Sequence, residues 1–550
     1  MIREKIILMP FIFFPALLMA QKSPQQTADV KIKIIEEDNH QITPAMVCIT
    51  GAKDGKVRVP PYSLVPDTVS APEIFYTGID YKKDKDWVGP IRKTNGLGNE
   101  ENRSSCYDML PSIPYWKEPV MYQTSGDFTI KMPVGKWHIS IEHGNEFIPI
   151  QEDIVVTGKE QQLNKTFVFK RWINLPKLGW YSGDVHVHHP TNKQEYRDYL
   201  LEYAKAEDVH LINVLAMGDH VTVEFKQEGF GEKFRTCRGD ICLVSGQEEP
   251  RSDFGHVIGL NIQHLTRDTS VYNYYDLVFK KLHLQPGAIV GFAHFAFNGS
   301  RIERGLPMYL ATGDVDFVEL LQFSKINTLD YYDYLNLGFR ITAAAGSDMP
   351  WGSTIGEVRT FVYTGNQFSA DNWFSGLKAG HTFVSNGPAL FLEVDGKLPG
   401  SEIAKSSGSK VLVKAKAMSN PSIGIIKRVA IYNNDGLVTE KTNKEKLSAV
   451  EVNLNHVLKK SQWIAAVVYS DNGAVAHTTP VYVTVDGRPT FDVQKGPAII
   501  QKQLNLIDKT EAEERAKRPV DDGILERLAK GREFYNNLLK EMDAQQKSAE

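Results

Sequence analysis

The chain has 550 residues, of which 42% are hydrophobic and 24% are charged, and its formal net charge is -4. This length exceeds what one hydrophobic core usually serves, so we expect about three domains. The composition is that of a globular protein, and the small net charge gives no electrostatic reason to expect nucleic acid or an anionic membrane surface as a partner.

The N-terminus has the layout of a secretory signal peptide at residues 1–20. Arg3 and Lys5 precede an apolar run over 6–19, and Ala20 precedes a polar stretch. We therefore expect cleavage near Ala20 and an exported protein, periplasmic or secreted. A retained membrane anchor is the alternative, although the apolar run is short and contains two prolines. No later segment is apolar enough to span a bilayer, so we expect no stable membrane insertion.

Residues 28–170 alternate apolar and polar side chains with the period of a β-strand. The alternation is clearest at 30–34, 128–132 and 137–141, and turn residues separate the last two runs. The pattern predicts an N-terminal β-sandwich domain. A segment rich in proline, glycine and tyrosine at 60–122 is predicted to be a long insertion in this domain.

The pattern changes in the middle of the chain and changes back near its end. Residues 176–388 alternate short apolar strands with helical stretches, which predicts a largely parallel sheet or barrel and an α/β class. Residues 390–490 return to short alternating strands and predict a second β-sandwich. Residues 500–545 form a charged helical tail that we expect to dock on a neighbouring domain.

Four cysteines are too few for a disulfide scaffold in a chain of this length. An oxidising compartment would permit the pairs Cys48–Cys106 and Cys237–Cys242. Alternatively, the spacing of Cys237 and Cys242 could provide half of a zinc site, although no second Cys or His pair stands nearby at finger spacing.

Histidines are concentrated in the middle domain. Nine of the fifteen lie between residues 186 and 294, and the first two, His186 and His188, form an HxH pair at the end of an apolar stretch. In a strand these two side chains share one face and could chelate a divalent metal. The alternative is a pair of histidines on a solvated sheet face.

Acidic residues and histidines follow one candidate strand after another downstream of this pair. They are Asp219, His220, Glu248, His294 and Asp348. In an α/β barrel the carboxyl ends of the strands converge, so such side chains would meet at one site. Imidazoles with carboxylates suit zinc, manganese or iron, and a shared glutamate suits two-metal hydrolysis with a metal-activated water. No GxSxG motif offers a serine nucleophile instead.

The motifs of this region resemble those of CehA/McbA-type metallohydrolases, which belong to the polymerase and histidinol phosphatase (PHP) superfamily. The resemblance covers about residues 178–388. The matching motifs are GWYSGDVHVH at 179–188, GDH at 218–220, GQE at 246–248, GHVIG at 255–259, AH at 293–294 and GSD at 346–348.

The resemblance implies a distorted seven-stranded (β/α) PHP-like barrel, here flanked by the two β-sandwich domains, with a metal cluster at its mouth. It implies that one metal is held by His186, His188, Glu248 and Asp348. It implies that a second metal is held by Glu248, His256 and His294. Glu248 is preferred to Glu249 as the bridging carboxylate because it matches the Gly-x-Glu motif.

His220 occupies the motif position at which the superfamily often places a ligand of a third ion, and Asp219 would accept a hydrogen bond from it. The superfamily's last motif usually reads Asp-x-His, whereas Asp348 is followed by Met349 and Pro350. Gln194 also stands where trinuclear members often carry histidine. We therefore expect two divalent ions, zinc, manganese or iron, with His220 left free to bind substrate or move protons.

Three arginines near the motifs, Arg251, Arg301 and Arg304, are candidates for binding an anionic substrate group. The sequence thus predicts an exported metal-dependent hydrolase acting on an ester-like bond: a phosphoester, carboxylic ester, carbamate or amide. The substrate would be a small-molecule or oligomeric ester, with His220 and Asp219 as catalytic residues. The alternative is an inactive, metal-stabilised binding protein for a glycan or peptide. The sequence leaves the oligomeric state open.

Overall fold

The computed structural model describes residues 26–51, 57–58, 91–93, 120–159, 161–349, 355–365 and 367–549. The predicted signal peptide, most of the predicted insertion at 60–122 and Cys106 lie outside the described residues. None of the helices within the described ranges combines the length and the apolar character needed to cross a membrane.

The regular elements among the described residues of the N-terminal region are strands. They are Thr27–Glu36 (β1), Ala45–Gly51 (β2), Val57–Arg58 (β3), Ile91–Lys93 (β4), Val120–Thr124 (β5), Asp127–Pro133 (β6), Gly135–Glu142 (β7), Ile150–Val156 (β8) and Gln162–Phe169 (β9). One sheet has the order β6-β1-β9, and a second has the order β4-β5-β2-β7-β8 with β3 beside β2. Alternate residues of the two sheets, such as Val30, Ile32, Val47 and Ile139, are buried in one shared core.

The middle region contributes twelve strands. They are Trp180–Val187 (β10), Leu211–Gly218 (β11), Val223–Glu224 (β12), Thr236–Arg238 (β13), Ile241–Ser252 (β14), Gly255–Leu260 (β15), Ile289–Phe292 (β16), Phe317–Gln322 (β17), Lys325–Ile326 (β18), Thr342–Ala345 (β19), Arg359–Tyr363 (β20) and Thr382–Ser385 (β21). Its helices are Gln194–Ala206 (α1), Tyr275–His283 (α2), Ile302–Leu310 (α3), Thr328–Asn336 (α4) and Ala370–Lys378 (α5).

The C-terminal region has nine more strands and two long helices. The strands are Ala389–Val394 (β22), Glu402–Lys405 (β23), Lys410–Met418 (β24), Ile426–Asn433 (β25), Gly436–Thr442 (β26), Ala449–Val457 (β27), Gln462–Ser470 (β28), Val475–Thr478 (β29) and Val481–Val485 (β30). The helices, Gly496–Ala516 (α6) and Asp522–Ala549 (α7), are the C-terminal helix pair. They bury Ile507, Leu528 and Tyr535 in a core shared with Tyr309 and Tyr334 of the middle region.

The prediction of an α/β protein with a distorted seven-stranded (β/α) barrel is wrong. Strands hold 40% of the residues and helices 24%, and such a barrel is not found among the described strands. The physical reason is the strand pairing. β10 pairs in parallel with β11, and β11 pairs in parallel with β14. By contrast, the pairs β14–β15, β15–β16 and β10–β20 are antiparallel. β14 and β15 form a hairpin, which needs no helical crossover.

The strands of the middle region form a sheet with both parallel and antiparallel pairs, and this mixed sheet continues into the C-terminal strands. β21 pairs with β29, and β28 pairs with β25, β29 and β30. The alternation of strands and helices in the sequence could not reveal the β21–β29 pairing, in which Phe383 lies opposite Thr478, 95 residues further along the chain. The molecule is a mostly β protein in which parallel and antiparallel neighbours share one sheet.

Candidate metal centre

Two histidines at the carboxyl end of β10 bring their ring nitrogens together. His186 and His188 share one face of the chain, and their Nε2 atoms lie 2.9 Å apart. Both residues are buried, with at most 1% of their surface exposed. A pair of histidines on a solvated sheet face is therefore not what the structure contains.

Asp348, just beyond β19, lies against this histidine pair. Its Oδ1 is 3.3 Å from Nε2 of His186 and 3.4 Å from Nε2 of His188. Backbone hydrogen bonds fix the loop, because Asp348 N donates to His186 O and His188 N donates to Met349 O. Asp348 has a φ of 55°, and His294 has one of 63°. Such left-handed backbone costs free energy in residues other than glycine and is concentrated at functional sites.

The carboxylate of Glu248, on β14, lies between two groups of ligand candidates. Oε2 is 3.4 Å from Nε2 of His188, whereas Oε1 is 2.7 Å from Nδ1 of His256 and 3.3 Å from Nε2 of His294. His186, His188 and Asp348 form the first group, and Glu248, His256 and His294 form the second, with ligand atoms within 4.8 Å of one another in each.

Glu249, the competing residue for the bridging position, does not face this cluster. Its Oε1 accepts a hydrogen bond from Arg267, as expected for the next residue along a strand, whose side chain points to the other face. Burial raises the pKa of Glu249 to about 7, although Arg267 opposes the shift. The structure therefore brings Glu248, and not Glu249, to the histidines.

Three of the imidazoles are oriented by hydrogen bonds on their far side. His186 Nδ1 lies 2.8 Å from Oε1 of Glu319, His188 Nδ1 lies 3.1 Å from the carbonyl of Leu215, and His294 Nδ1 lies 2.9 Å from Oε1 of Gln322. Since these oxygens accept, each Nδ1 carries a proton, and each Nε2 is the atom that a neutral ring would offer to a metal ion. The Nε2 atoms of His186 and His188 point to the same place.

Sequence reasoning missed Glu319 and Gln322, which are polar positions within the apolar strand β17. Both are completely buried. Glu319 also accepts a hydrogen bond from the backbone N of His294 through Oε2. The available signal was a glutamate inside the apolar sequence FVELLQ. A charge in a buried strand requires a partner, so Glu319 could have been predicted to contact another polar group.

Asp184 ties β10 to the loop that carries Asp348. Its carboxylate accepts from the backbone N of His186 and Ser347, both at 3.0 Å, and of Gly356 at 2.9 Å. Burial raises the pKa of Asp184 to about 6 even though these donors favour the charged form. Asp184 therefore acts through the backbone beside the ligand candidates.

The cluster has strong internal electrostatics. Burial alone would lower the pKa of His186, but Glu319, Asp348 and Glu248 together hold it well above its ordinary value. Burial alone would raise the pKa of Glu248, but the cations beside it, led by Arg251, hold it well below its usual range. The carboxylates thus stay charged inside the protein, where an uncompensated charge is expensive.

The donor set fits divalent metal ions. Four imidazoles and two carboxylates offer nitrogen and oxygen ligands, which suit zinc, manganese or iron better than calcium or magnesium. The hydrogen bonds behind the imidazoles are the supporting partners that metal-binding histidines normally have. The residues present therefore fit two ions that share Glu248.

The three candidate arginines have different partners, although Arg251 and Arg301 both line the cavity beside the cluster. Arg251 reaches the cluster, with Nε 2.9 Å from Oε2 of Glu248 and 3.4 Å from Nδ1 of His256. Arg301 and Arg304 instead pair with acidic residues of α6 and with Asp253. Their guanidinium groups are engaged in holding α6.

His220 and Asp219 lie in the turn after β11. Oδ1 of Asp219 accepts from the backbone N of Val221 and Thr222, both at 2.7 Å, so this carboxylate stabilises the turn. The ring of His220 lies 4.3 Å from that of Tyr272, measured between centroids, and lines a cavity with Arg251. Their catalytic roles stay predictions.

Cys237 and Cys242 are joined in a disulfide at the hairpin of β13 and β14. The pair is therefore not half of a zinc site in this structure. Cys48 is buried, and its suggested partner Cys106 lies outside the described residues.

Comparisons with known proteins identify no family. No protein family matches the sequence, and no curated protein matches it. Among solved structures, the chain is similar to the fibronectin(III)-like modules of Clostridium thermocellum CbhA, with 18% identity and a TM-score of 0.13. That match covers 18% of this chain and 96% of the other.

Proposed function

We propose that the protein is an exported metal-dependent hydrolase that cleaves an ester-like bond with the help of two divalent ions. The observation that carries the proposal is the position of Glu248, whose two oxygens face two groups of ligand candidates. The motif resemblance to CehA/McbA-type metallohydrolases supports the same reaction class. Phosphoesters, carboxylic esters, carbamates and amides are the candidate bonds.

Bound ions would supply Lewis acidity and an activated water at neutral pH. The chain's own residues hold and orient the reacting groups. Glu319, Gln322 and the carbonyl of Leu215 keep the Nε2 lone pairs directed inward, because each accepts from an Nδ1–H group.

Arg251 and His220 are two of the polar residues that line the cavity beside the centre. We assign Arg251 to binding an anionic substrate group, since guanidinium groups bind phosphate or carboxylate well. We assign His220 to proton transfer to the leaving group, because its imidazole lines the cavity together with Arg251.

The test combines elemental analysis with an activity panel. We expect about two ions of zinc, manganese or iron per chain and hydrolysis of at least one 4-nitrophenyl ester, phosphate or carbamate. His188→Ala removes a ligand, so metal content and activity should both fall, with activity lost by more than about 100-fold. The matched control His264→Ala alters an exposed histidine of the same region and should change neither.

Each failure has its own meaning. A protein that holds the metals and is inactive on the whole panel would favour the metal-stabilised binding protein over the hydrolase. A protein that binds none of these metals, even when refilled after chelation, would contradict the metal centre itself.

A further inference from the structure

The cavity beside the candidate metal centre is closed on one side by the C-terminal helix pair. It has a volume of about 490 Å³. His220, Arg251 and His256 line it on the side of the metal centre, and Glu514, Lys517 and Asp521 line it from the helix pair. A cavity of this size takes a small molecule.

The helix pair is firmly attached at this place. Arg304 of α3 and Glu514 of α6 form an ion pair in which both residues are at most 4% exposed. Burial of two charges is favourable only when they are paired, so the contact fixes the position of α6. Lys517 extends the cluster, with Nζ 2.8 Å from Oε1 of Glu514 and 3.4 Å from Oδ2 of Asp253.

The second helix is attached independently. Tyr274 donates a hydrogen bond of 2.8 Å to Oδ1 of Asp521, and Arg527 of α7 pairs with Asp276 of α2. The guanidinium of Arg527 also lies 4.0 Å from the centre of the Tyr274 ring. These contacts hold the helix pair beside the turn between β14 and β15. That turn carries Asp253, which stands two residues after Arg251.

The charges next to the metal centre favour an anionic ligand. Two divalent ions would outweigh the two carboxylates of the ligand set, and Arg251 adds a further positive charge. Within the described residues, the hydrogen bond from its guanidinium comes from Nε, which leaves the terminal nitrogens for a ligand. The ammonium group of Lys517 lines the same cavity from the side of the helix pair, where it is paired with Glu514 and Asp253.

We propose that the C-terminal helix pair is one wall of the substrate cleft, and that Arg251 and Lys517 on opposite walls select a small substrate with an anionic group. This inference rests on the proposed function, because it assigns a substrate class to the same centre. It also gives the charged tail a direct part in recognition.

The test is calorimetric titration of the zinc-loaded protein with phenylphosphonate, a small and unreactive anion. Arg251→Ala should weaken binding by about 30-fold, since it removes a partly buried charge partner of the anion. Lys517→Glu should weaken it by about five-fold, because the residue is half-exposed. The control Lys509→Glu makes the same charge change at an exposed position on α6 and should leave binding unchanged.

Two further measurements keep the outcomes separate. Zinc content is determined for every variant, and Arg251→Lys, which keeps the charge, should bind the anion more tightly than Arg251→Ala. The titration is repeated after chelation. If the wild type, Lys517→Glu and Lys509→Glu bind phenylphosphonate equally well, both with zinc and after chelation, the proposal that the helix pair is a wall of the substrate cleft is overturned. If the wild type itself does not bind zinc, the result would instead contradict the proposed function.

Discussion

Two buried clusters of charged residues in this protein are built on opposite principles. Between the N-terminal and middle regions, the guanidinium of Arg171 lies 2.8 Å from Oε2 of Glu146 and 2.9 Å from Oδ2 of Asp208. The cluster supplies its own cation between its carboxylates. We refer to these three residues as the interdomain charge cluster.

At the candidate metal centre the space between the carboxylates is bordered by imidazole nitrogens. Nε2 of His186 lies close to Nε2 of His188 and to Oδ1 of Asp348, so three atoms that can ligate a metal face one another. The comparison teaches that burial and charge do not by themselves identify a functional site. What distinguishes the centre is a set of oriented lone pairs that an added cation would complete.

The largest expected effect comes from removing the cation of the interdomain charge cluster. Arg171→Ala leaves two carboxylates buried without their partner, so we expect the free energy of unfolding to fall by about 3 kcal/mol. Urea unfolding measures this change. Arg238→Ala, which breaks exposed ion pairs with Asp198 and Glu202, is the matched control and should cost less than about 1 kcal/mol.

The metal content of Arg171→Ala should stay at the wild-type value. If this variant lost its metal while remaining folded, the two clusters would not be independent, and the contrast between them would fail.

The next effect concerns the carboxylate behind His186. Glu319→Gln keeps the size of the side chain and removes the charge that orients the Nδ1–H group, so metal affinity should fall by about 10- to 100-fold. Competition with a chromophoric chelator measures the affinity. Glu393→Gln makes the same change at an exposed position on β22 and should have no effect. An unchanged affinity in Glu319→Gln would mean that the hydrogen bond does not support metal binding.

The smallest effect is a pH dependence of the interdomain charge cluster. Burial raises the pKa of Glu146 to about 7 from its ordinary 4.5, despite the opposing effect of Arg171. Between these values the folded protein holds a proton that the unfolded chain has lost, so the free energy of unfolding falls as pH rises through this window.

Glu146→Gln cannot titrate and should lose this part of the pH dependence. Urea unfolding at pH 5 and pH 7 should therefore show a smaller decline in the variant than in the wild type. Equal declines would mean that Glu146 keeps its ordinary pKa in the folded protein.

Local patterns in the sequence predicted the strands around the centre well. The apolar stretch that ends in the HxH pair was considered as a strand, and β10 covers Trp180–Val187. Five of the six ligand candidates could be found because each follows an apolar run, whereas His256 stands at the start of β15 and was implied only by the motif resemblance. Their distances could not, since proximity of His186 to Glu248 depends on the pairing of β10, β11 and β14.

The error in the fold class has a physical cause as well. The barrel was wrong because the alternation of strands and helices does not reveal which strands run antiparallel. The substrate-binding role of Arg304 stays a prediction, and the structure adds its ion pair with Glu514, which lies 210 residues further along the chain. Local spacing carries no information on such a contact.

The pairing of Arg304 with Glu514 has a consequence for the order in which the protein matures. All six ligand candidates lie between residues 186 and 348, so they leave the ribosome long before α6 is made. A chain that ended before Glu514 would carry all six ligand candidates, but the cavity beside them would lack the residues that the helix pair contributes to its lining. The cavity acquires its final shape only when the helix pair at 496–549 has been synthesised and has folded back, so the substrate recognition proposed above would depend on synthesis of this helix pair.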